Sequence, residues 1–415
     1  MAYSDVVRNS YLSEISGIRT AGLFKEERFI HSPQSSEIEV EFPVGAQTKK
    51  VINICANNYL GLSSHPEVIA AAHAGLDSRG YGMSSVRFIC GTQDIHRELE
   101  KRLTEFLGTE DTLLFPSCMD ANAGFFEACL GEQDVMIADR LVHASVVDGM
   151  RLCKATQDTY KHSDMGHLEE KLQEHQDKRF RMIVTDGVFS MDGDLAKLDQ
   201  MVALAEKYSA MVFVDDSHAT GFIGKTGRGT HEHCGVFGKI DVITTTLGKA
   251  LGGASGGVVS GRRELVEMCR QRARPYLFSN AVAPVIVAGA LKVMELISRN
   301  TERRDKLEWN AKYWRGLLKD AGFDIKLGES PIVPVMLYDA KLAQDFARDL
   351  FAEGIYAVGF FFPVVPREQA RIRTQLSAAH ERHHLDAAIE AFKKVGNKYG
   401  ILGMGKKELM AKFAA

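Results

Sequence analysis

The chain has 415 residues, 45% hydrophobic and 25% charged, an ordinary globular composition with length enough for two or three domains sharing a large core. A formal net charge of -3 gives no electrostatic case for nucleic acid or an anionic membrane surface. No apolar run approaches a membrane span, no signal-peptide core lies near Met1, and seven scattered cysteines without a CxxC pair predict reduced thiols inside a cell.

Residues 1 to about 35 predict a helical arm, with Val6, Tyr11, Ile15 and Ile18 at helical spacing. The first fifty residues are too acidic for a good transit peptide, so the cytoplasm is the expected compartment, with the mitochondrial matrix as the alternative. A hairpin follows, residues 38–42 against 51–55 around a turn containing Gly45. A helix beginning near Pro66 is expected to break between Gly75 and Gly82.

From about residue 94 to 300, helical stretches at 95–106, 120–130, 168–175 and 198–208 separate short apolar runs. Those runs fall at 112–115, 135–138, 182–186, 212–215, 242–246 and 257–260. Strand and helix repeated in this way predict an α/β fold, a mainly parallel sheet covered on both faces, with ligands at the strands' carboxyl ends. A long helical stretch from 282 to about 318 leads into a smaller α+β unit with strands near Ile325 and at 333–337, 356–360 and 372–376. A short helix is expected after Gly403. The expected division is an arm and hairpin over 1–55, a large domain over 56–295 and a small domain over 296–415.

The polar clusters fall at the strand ends. Lys249 stands in Thr246-Leu-Gly-Lys-Ala-Leu-Gly-Gly253, where glycines let a flat ligand approach an amine able to form a Schiff base. Asp215 and His218, in Val212-Phe-Val-Asp-Asp-Ser-His218, are close enough for one turn to aim both at that ligand. A lysine for an aldehyde and an acid for a pyridine nitrogen describe pyridoxal phosphate, with His218 or Ser190 as donor to its phenolic oxygen. Ser117, Cys118 and Met119 open a helix after a strand, where free amides and the helix dipole favour a phosphate; a plain Ser117 cap fits the same residues. His143 follows another strand and either stacks on the ring or packs. Arg373 has the planar fork for a substrate carboxylate, but Arg371 shares its strand face and spacing does not choose between them.

Three decoys are set aside. His380-Glu-Arg-His-His384 matches HExxH, but at the start of a helix and without a third ligand. Gly224-Lys-Thr226 lacks the first glycine of a P-loop, and His231-Glu-His-Cys234 reads as an exposed polar turn. No metal site is expected. No GxGxxG follows a strand, so a dinucleotide site lacks its fingerprint.

Cys55-Ala-Asn-Asn-Tyr-Leu-Gly-Leu62, Ser190-Met-Asp-Gly193, Asp215-Asp-Ser-His218 and Thr246-Leu-Gly-Lys249 together resemble the α-oxoamine synthases, over about residues 10–398. The resemblance implies fold-type-I pyridoxal-phosphate architecture, a mainly parallel seven-stranded sheet between helices plus a small C-terminal domain. Ser85-Val-Arg-Phe-Ile-Cys-Gly-Thr-Gln-Asp94, residues 248–257 and Arg274-Pro-Tyr-Leu-Phe-Ser-Asn280 bring it nearest to members that condense glycine with acetyl-CoA to 2-amino-3-ketobutyrate and CoA, or run the reverse cleavage in threonine catabolism. The alternatives are members using another amino acid or a longer acyl chain, and a noncatalytic partner subunit. By the same resemblance Lys249 carries the cofactor and moves the proton, Asp215 pairs with the ring nitrogen, and His143 stacks. Ser190 and His218 address the phenolic oxygen. Cys118, Met119 and Thr246 hold the phosphate with Ser279 and Asn280 from the second subunit of a homodimer. Arg373 clamps the carboxylate, and Asn58 lies near the substrate.

Overall fold

Seven strands form the central sheet, in the spatial order Asp111–Phe115, Gly257–Gly261, Val242–Thr246, Met211–Asp215, Arg181–Asp186, Val135–Asp139 and Thr156–Tyr160. All neighbours run parallel except Gly257–Gly261, which is antiparallel to both of its own. The computed structural model describes residues 3–20 and 23–413.

Burial on both faces explains the continuous apolar runs: Val212 and Val214 enter one core, and Phe213 between them packs with Phe125 and Phe126 in the other. Thr156–Tyr160 is the strand the apolar pattern missed. As an edge strand of sequence Thr-Gln-Asp-Thr-Tyr it buries little beyond Tyr160, so it carries no apolar run to read. The parallel strands end in Asp139, Asp186, Asp215 and Thr246, with Asp186 in register with Asp215. This places a row of polar side chains at one sheet edge.

Several expectations shift. The helix from Pro66 ends within the expected span, running Pro66–Arg79 and stopping at Gly80, with Gly75 inside it. A Cβ on Gly75 would lie 2.4 Å from that of Ala288, so glycine there lets this helix press against Pro284–Arg299. The stretch 282–318 is two helices, Pro284–Arg299 and Glu302–Asp320. The strand near Ile325 reduces to one bridge with Val335.

The run at 356–360 is split between two sheets. Ile355–Tyr356 pairs with Lys49–Asn53 of the predicted hairpin, and Gly359–Phe360 pairs with Ala370–Gln375. The hairpin sheet is therefore completed by the C-terminal region. Among the described residues of the N-terminal arm, the helix is Asp5–Thr20, none of whose residues is buried, and the tail forms Lys406–Phe413.

Candidate active site

Asp215 closes its strand with both oxygens bonded. Oδ2 accepts from Asn122 Nδ2 at 2.7 Å, and Oδ1 accepts from Ser217 N–H at 3.0 Å. The same Asn122 amide reaches Ser145 Oγ at 2.8 Å, while its Oδ1 is buried without a partner. One strand over, Asp186 accepts His143 N–H at 3.1 Å. Burial, with Asp215 alongside, pushes the Asp186 carboxyl well above the ordinary carboxylate range.

Lys249 sits in the turn after Val242–Thr246. Thr246 Oγ1 organises that turn, accepting Gly248 N–H at 3.0 Å and donating to Gly256 O at 3.2 Å. A Cβ on Gly257 would fall 2.2 Å from Cys118 N, so only glycine lets the next strand approach the Ser117–Cys118 turn this closely. Lys249 lines a cavity of about 220 Å³ with Ser117, Cys118, Met119, His143, Asp215, His218 and Thr246, and with Asp186 and Ser145 besides. Burial lowers the pKa of the Lys249 ammonium against the pull of Asp215. A lowered value suits a nucleophile and base.

The helix Cys118–Cys129 begins at this cavity. Ser117 Oγ caps it, accepting from Asp120 N–H at 3.1 Å and donating to Asp120 Oδ2 at 2.7 Å. That leaves the first-turn amides of Cys118 and Met119 without a capping side chain. The capping reading of Ser117 is met, and it leaves these two amides free at the same helix start.

A buried chain of hydrogen bonds joins the lysine cavity to the small domain. Tyr59 Oη and His218 Nδ1 are 2.8 Å apart, and Gln375 Nε2 donates to Tyr59 Oη at 2.7 Å. Arg373 donates to Gln375 Oε1 at 3.2 Å and to the Ser190 carbonyl at 3.0 Å. Burial, with the Lys249 and Arg373 charges nearby, holds the His218 imidazolium well below its usual pKa, so the ring is neutral.

The two arginines that spacing left level now differ. Arg371 is bonded to the Asp192 carboxylate, the Met191 carbonyl and the Gln369 carbonyl. Arg373 is 8% exposed, has no acid partner among the described residues, and keeps Nε unbonded.

The remaining residues fall around this centre. Ser190 lines the adjoining cleft rather than the lysine cavity. Asn58 is buried, its Oδ1 accepting Ser63 N–H at 3.3 Å. Ser279 and Asn280 follow the short helix Arg274–Phe278 and do not line their own chain's lysine cavity.

Sequence reading missed Asn122, Asp186, Tyr59 and Gln375. Asp186 ends a strand just as Asp215 does, so the same rule could have found it; Asn122, inside a helix, gave no such sign. One reading is corrected: His231 is not in an exposed turn but 1% exposed, bonded to the Leu107 carbonyl and stacked on Phe237. In the HExxH stretch His380 commits both ring nitrogens, to Ser377 N–H and the Asn53 carbonyl, and His384 Nδ1 accepts Glu381 N–H.

The donor set suits pyridoxal phosphate: an amine of lowered pKa, a doubly bonded strand-end acid, a neutral imidazole, a helix start for a phosphate, and an unbonded Asn122 oxygen beside them. Comparison with known proteins agrees. The family model for class I and II aminotransferases matches residues 49–392. The chain is 55% identical over 392 residues to the 2-amino-3-ketobutyrate coenzyme A ligase of Escherichia coli K12, covering 94% of this chain and 97% of that one. It is 50% identical over 389 residues to the mitochondrial ligase of that name from Homo sapiens, covering 94% and 92%. Among solved structures, serine palmitoyltransferase from S. paucimobilis with a bound PLP-myriocin aldimine superposes with a TM-score of 0.89 at 29% identity, covering 96% and 100%.

Proposed function

The chain belongs to the class I and II aminotransferase family, and on that premise we propose that it is a pyridoxal-phosphate enzyme joining glycine to acetyl-CoA to give 2-amino-3-ketobutyrate and CoA. The observation that carries this reading is Arg373, a buried guanidinium with no acid partner among the described residues, set close enough for its charge to bear on Lys249. An acid-free arginine beside a base of lowered pKa is suited to an amino acid: the carboxylate is held while a proton leaves Cα.

Pyridoxal phosphate, when bound, supplies an aldehyde for the amines of Lys249 and glycine and a ring that takes up the electron pair from Cα. Asp215 would face the ring nitrogen and His143 the ring itself. The amides of Cys118 and Met119, with Ser117 and Thr246, would take the phosphate, joined by Ser279 and Asn280 from the second subunit of a homodimer. His218 and Ser190 would meet the phenolic oxygen.

Arg373, steadied by Gln375 and the Ser190 carbonyl, orients glycine so that Lys249 Nζ takes the proton from Cα. Asn58 borders the same substrate. Cα then bonds to the thioester carbonyl carbon of acetyl-CoA, the C–S bond breaks, and CoA leaves as the thiolate. In reverse, the thiolate attacks the ketone and the proton returns from Lys249, as a threonine-degrading route requires. Seven free cysteines suit the cytoplasm, the proposed compartment; the human relative is mitochondrial.

CoA release measured over glycine, alanine and serine, each with acetyl-CoA and longer thioesters, tests the assignment. Glycine with acetyl-CoA should be fastest, and a preference for serine with a long acyl chain would replace the reading by a rival of the same fold. Lys249→Ala should lose cofactor-linked absorbance and lower kcat by about a thousandfold or more.

A further inference from the structure

Cys129 Sγ and Cys269 Sγ stand 3.8 Å apart, although the two residues are 140 positions apart in the chain. Elsewhere among the described residues the bonded cysteine sulfurs meet backbone groups or a hydroxyl, Cys153 and Cys234 the first and Cys118 the second.

The two thiols differ in access. Cys129 ends the helix Cys118–Cys129 and is partly exposed, its Sγ also donating to the Leu265 carbonyl at 3.6 Å. Cys269 lies inside the helix Arg263–Arg272 and is fully buried, in the core that holds Leu113, Phe125 and Val266. The adjacent Cys129 thiol, with burial, holds the Cys269 thiol well above its ordinary pKa, so it stays protonated. An outer sulfur open to solvent and backed by an inner one is the arrangement of an attacked thiol and its resolving thiol. Bonded sulfurs stand about 2.05 Å apart, so closure asks the side chains to swing together by less than about 2 Å, which rotation about the Cα–Cβ bonds supplies.

We propose that Cys129 and Cys269 form a modification site, a thiol pair that a hydroperoxide converts to an intramolecular disulfide. The Cys129 sulfur takes the terminal peroxide oxygen: an S–O bond forms, the O–O bond breaks, and the hydroperoxide is reduced to its alcohol, or to water from hydrogen peroxide. The Cys269 sulfur then attacks the resulting sulfenic acid. An S–S bond forms, the S–O bond breaks, and the leaving hydroxide takes the Cys269 proton as water. The new bond ties the end of the helix that begins at the lysine cavity to the helix that leads through Ala273 to Arg274–Phe278. Closing so long a loop holds the two helices together against unfolding. A reducing compartment keeps the pair open at rest, and the inference does not depend on the reaction assigned above.

Peptide mapping tests it: holoenzyme is treated with hydrogen peroxide, alkylated, digested without reduction and analysed by mass spectrometry, for wild type, Cys129→Ser and Cys269→Ala. Wild type should lose two of its seven titratable thiols and yield the Cys129 and Cys269 peptides joined and lighter by two hydrogens, a change that dithiothreitol reverses. The joined protein should unfold about 5 °C higher than the reduced one. Cys269→Ala should stop at a sulfenic acid on Cys129 that dimedone traps, and Cys129→Ser should leave Cys269 unoxidised. Peroxide-treated wild type in which both residues are alkylated on unfolding, or in which Cys129 passes to the sulfinic acid beside a free Cys269, would overturn the assignment without any variant. Oxidation of Cys269 to the same extent in Cys129→Ser would overturn it as well.

Discussion

The Tyr59 hydroxyl accepts from Gln375 Nε2 and so has one proton to give, and the acceptor within reach is His218 Nδ1 at 2.8 Å. That network assigns the imidazole proton to Nε2, the nitrogen then free to donate to a phenolic oxygen. Tyr59→Phe removes the donor that fixes this tautomer and leaves Gln375 short of a buried partner. Such a loss is worth about 1–3 kcal/mol, or roughly tenfold or more in kcat/KM for glycine. The pH titration of the bound cofactor's absorbance should shift with it, and a variant that is merely less stable, with an unmoved titration, would remove Tyr59 from any positioning role. At this scale the sequence told lysine, acid and histidine apart because each stands at a strand end. It could not separate Arg371 from Arg373, since what separates them is a contact: Asp192 neutralises the first and, among the described residues, no acid reaches the second. Tyr59 and Gln375 were unreadable for the same reason, lying 316 residues apart in the chain.

At the scale of elements, regular runs were legible where burial enforced a period and illegible where it did not. The six apolar strands were found and the polar edge strand Thr156–Tyr160 was not; the helix stop between Gly75 and Gly82 was legible, but the packing reason for Gly75, a neighbouring helix, was not. Buried histidines tie several elements together and set an acid limit. His231 and His380 are buried, and desolvation lowers each to about 4 from 6.5. The unfolded chain therefore takes up these protons first, so their stability is full above about pH 6.5 and is lost as pH falls toward about 4. His162 acts oppositely. Its ring lies between Asp139 and Asp194, whose carboxylates outweigh burial and raise it to about 10. Its share of stability is full below about pH 6.5 and fades as pH rises through about 10. Comparing unfolding midpoints in urea between about pH 7 and about pH 5, His231→Gln should lose about 2 kcal/mol less than wild type. Parallel losses in the two proteins would mean that His231 is not buried neutral.

For the whole molecule, the α/β class and a small C-terminal unit followed from the order of patterns, but not the closure of the hairpin sheet by Ile355–Tyr356, a pairing across about three hundred residues that no local period encodes. The shared-site proposal belongs to this scale as well. The Asn280 backbone is held to its own chain, by a bridge to Val86 and by Ala281 N–H to the Ser85 carbonyl at 3.1 Å. Around it Phe88, Ile89 and Phe278 are 60%, 68% and 66% exposed. So much apolar surface beside residues that do not line their own chain's lysine cavity is what a homodimer with shared sites requires. Complementation decides it. Lys249→Ala and Ser279→Ala/Asn280→Ala chains, carrying different tags and expressed together, would form a heterodimer in which one site draws Lys249 from the second chain and intact Ser279 and Asn280 from the first. The other site carries both lesions. Each variant homodimer should be nearly inactive or weak in cofactor binding, whereas the purified heterodimer should regain roughly half of wild-type activity in CoA release, one sound site of two. A heterodimer no more active than the mean of its parents would show that Ser279 and Asn280 serve the site of their own chain, and each subunit would then have to bind its phosphate alone.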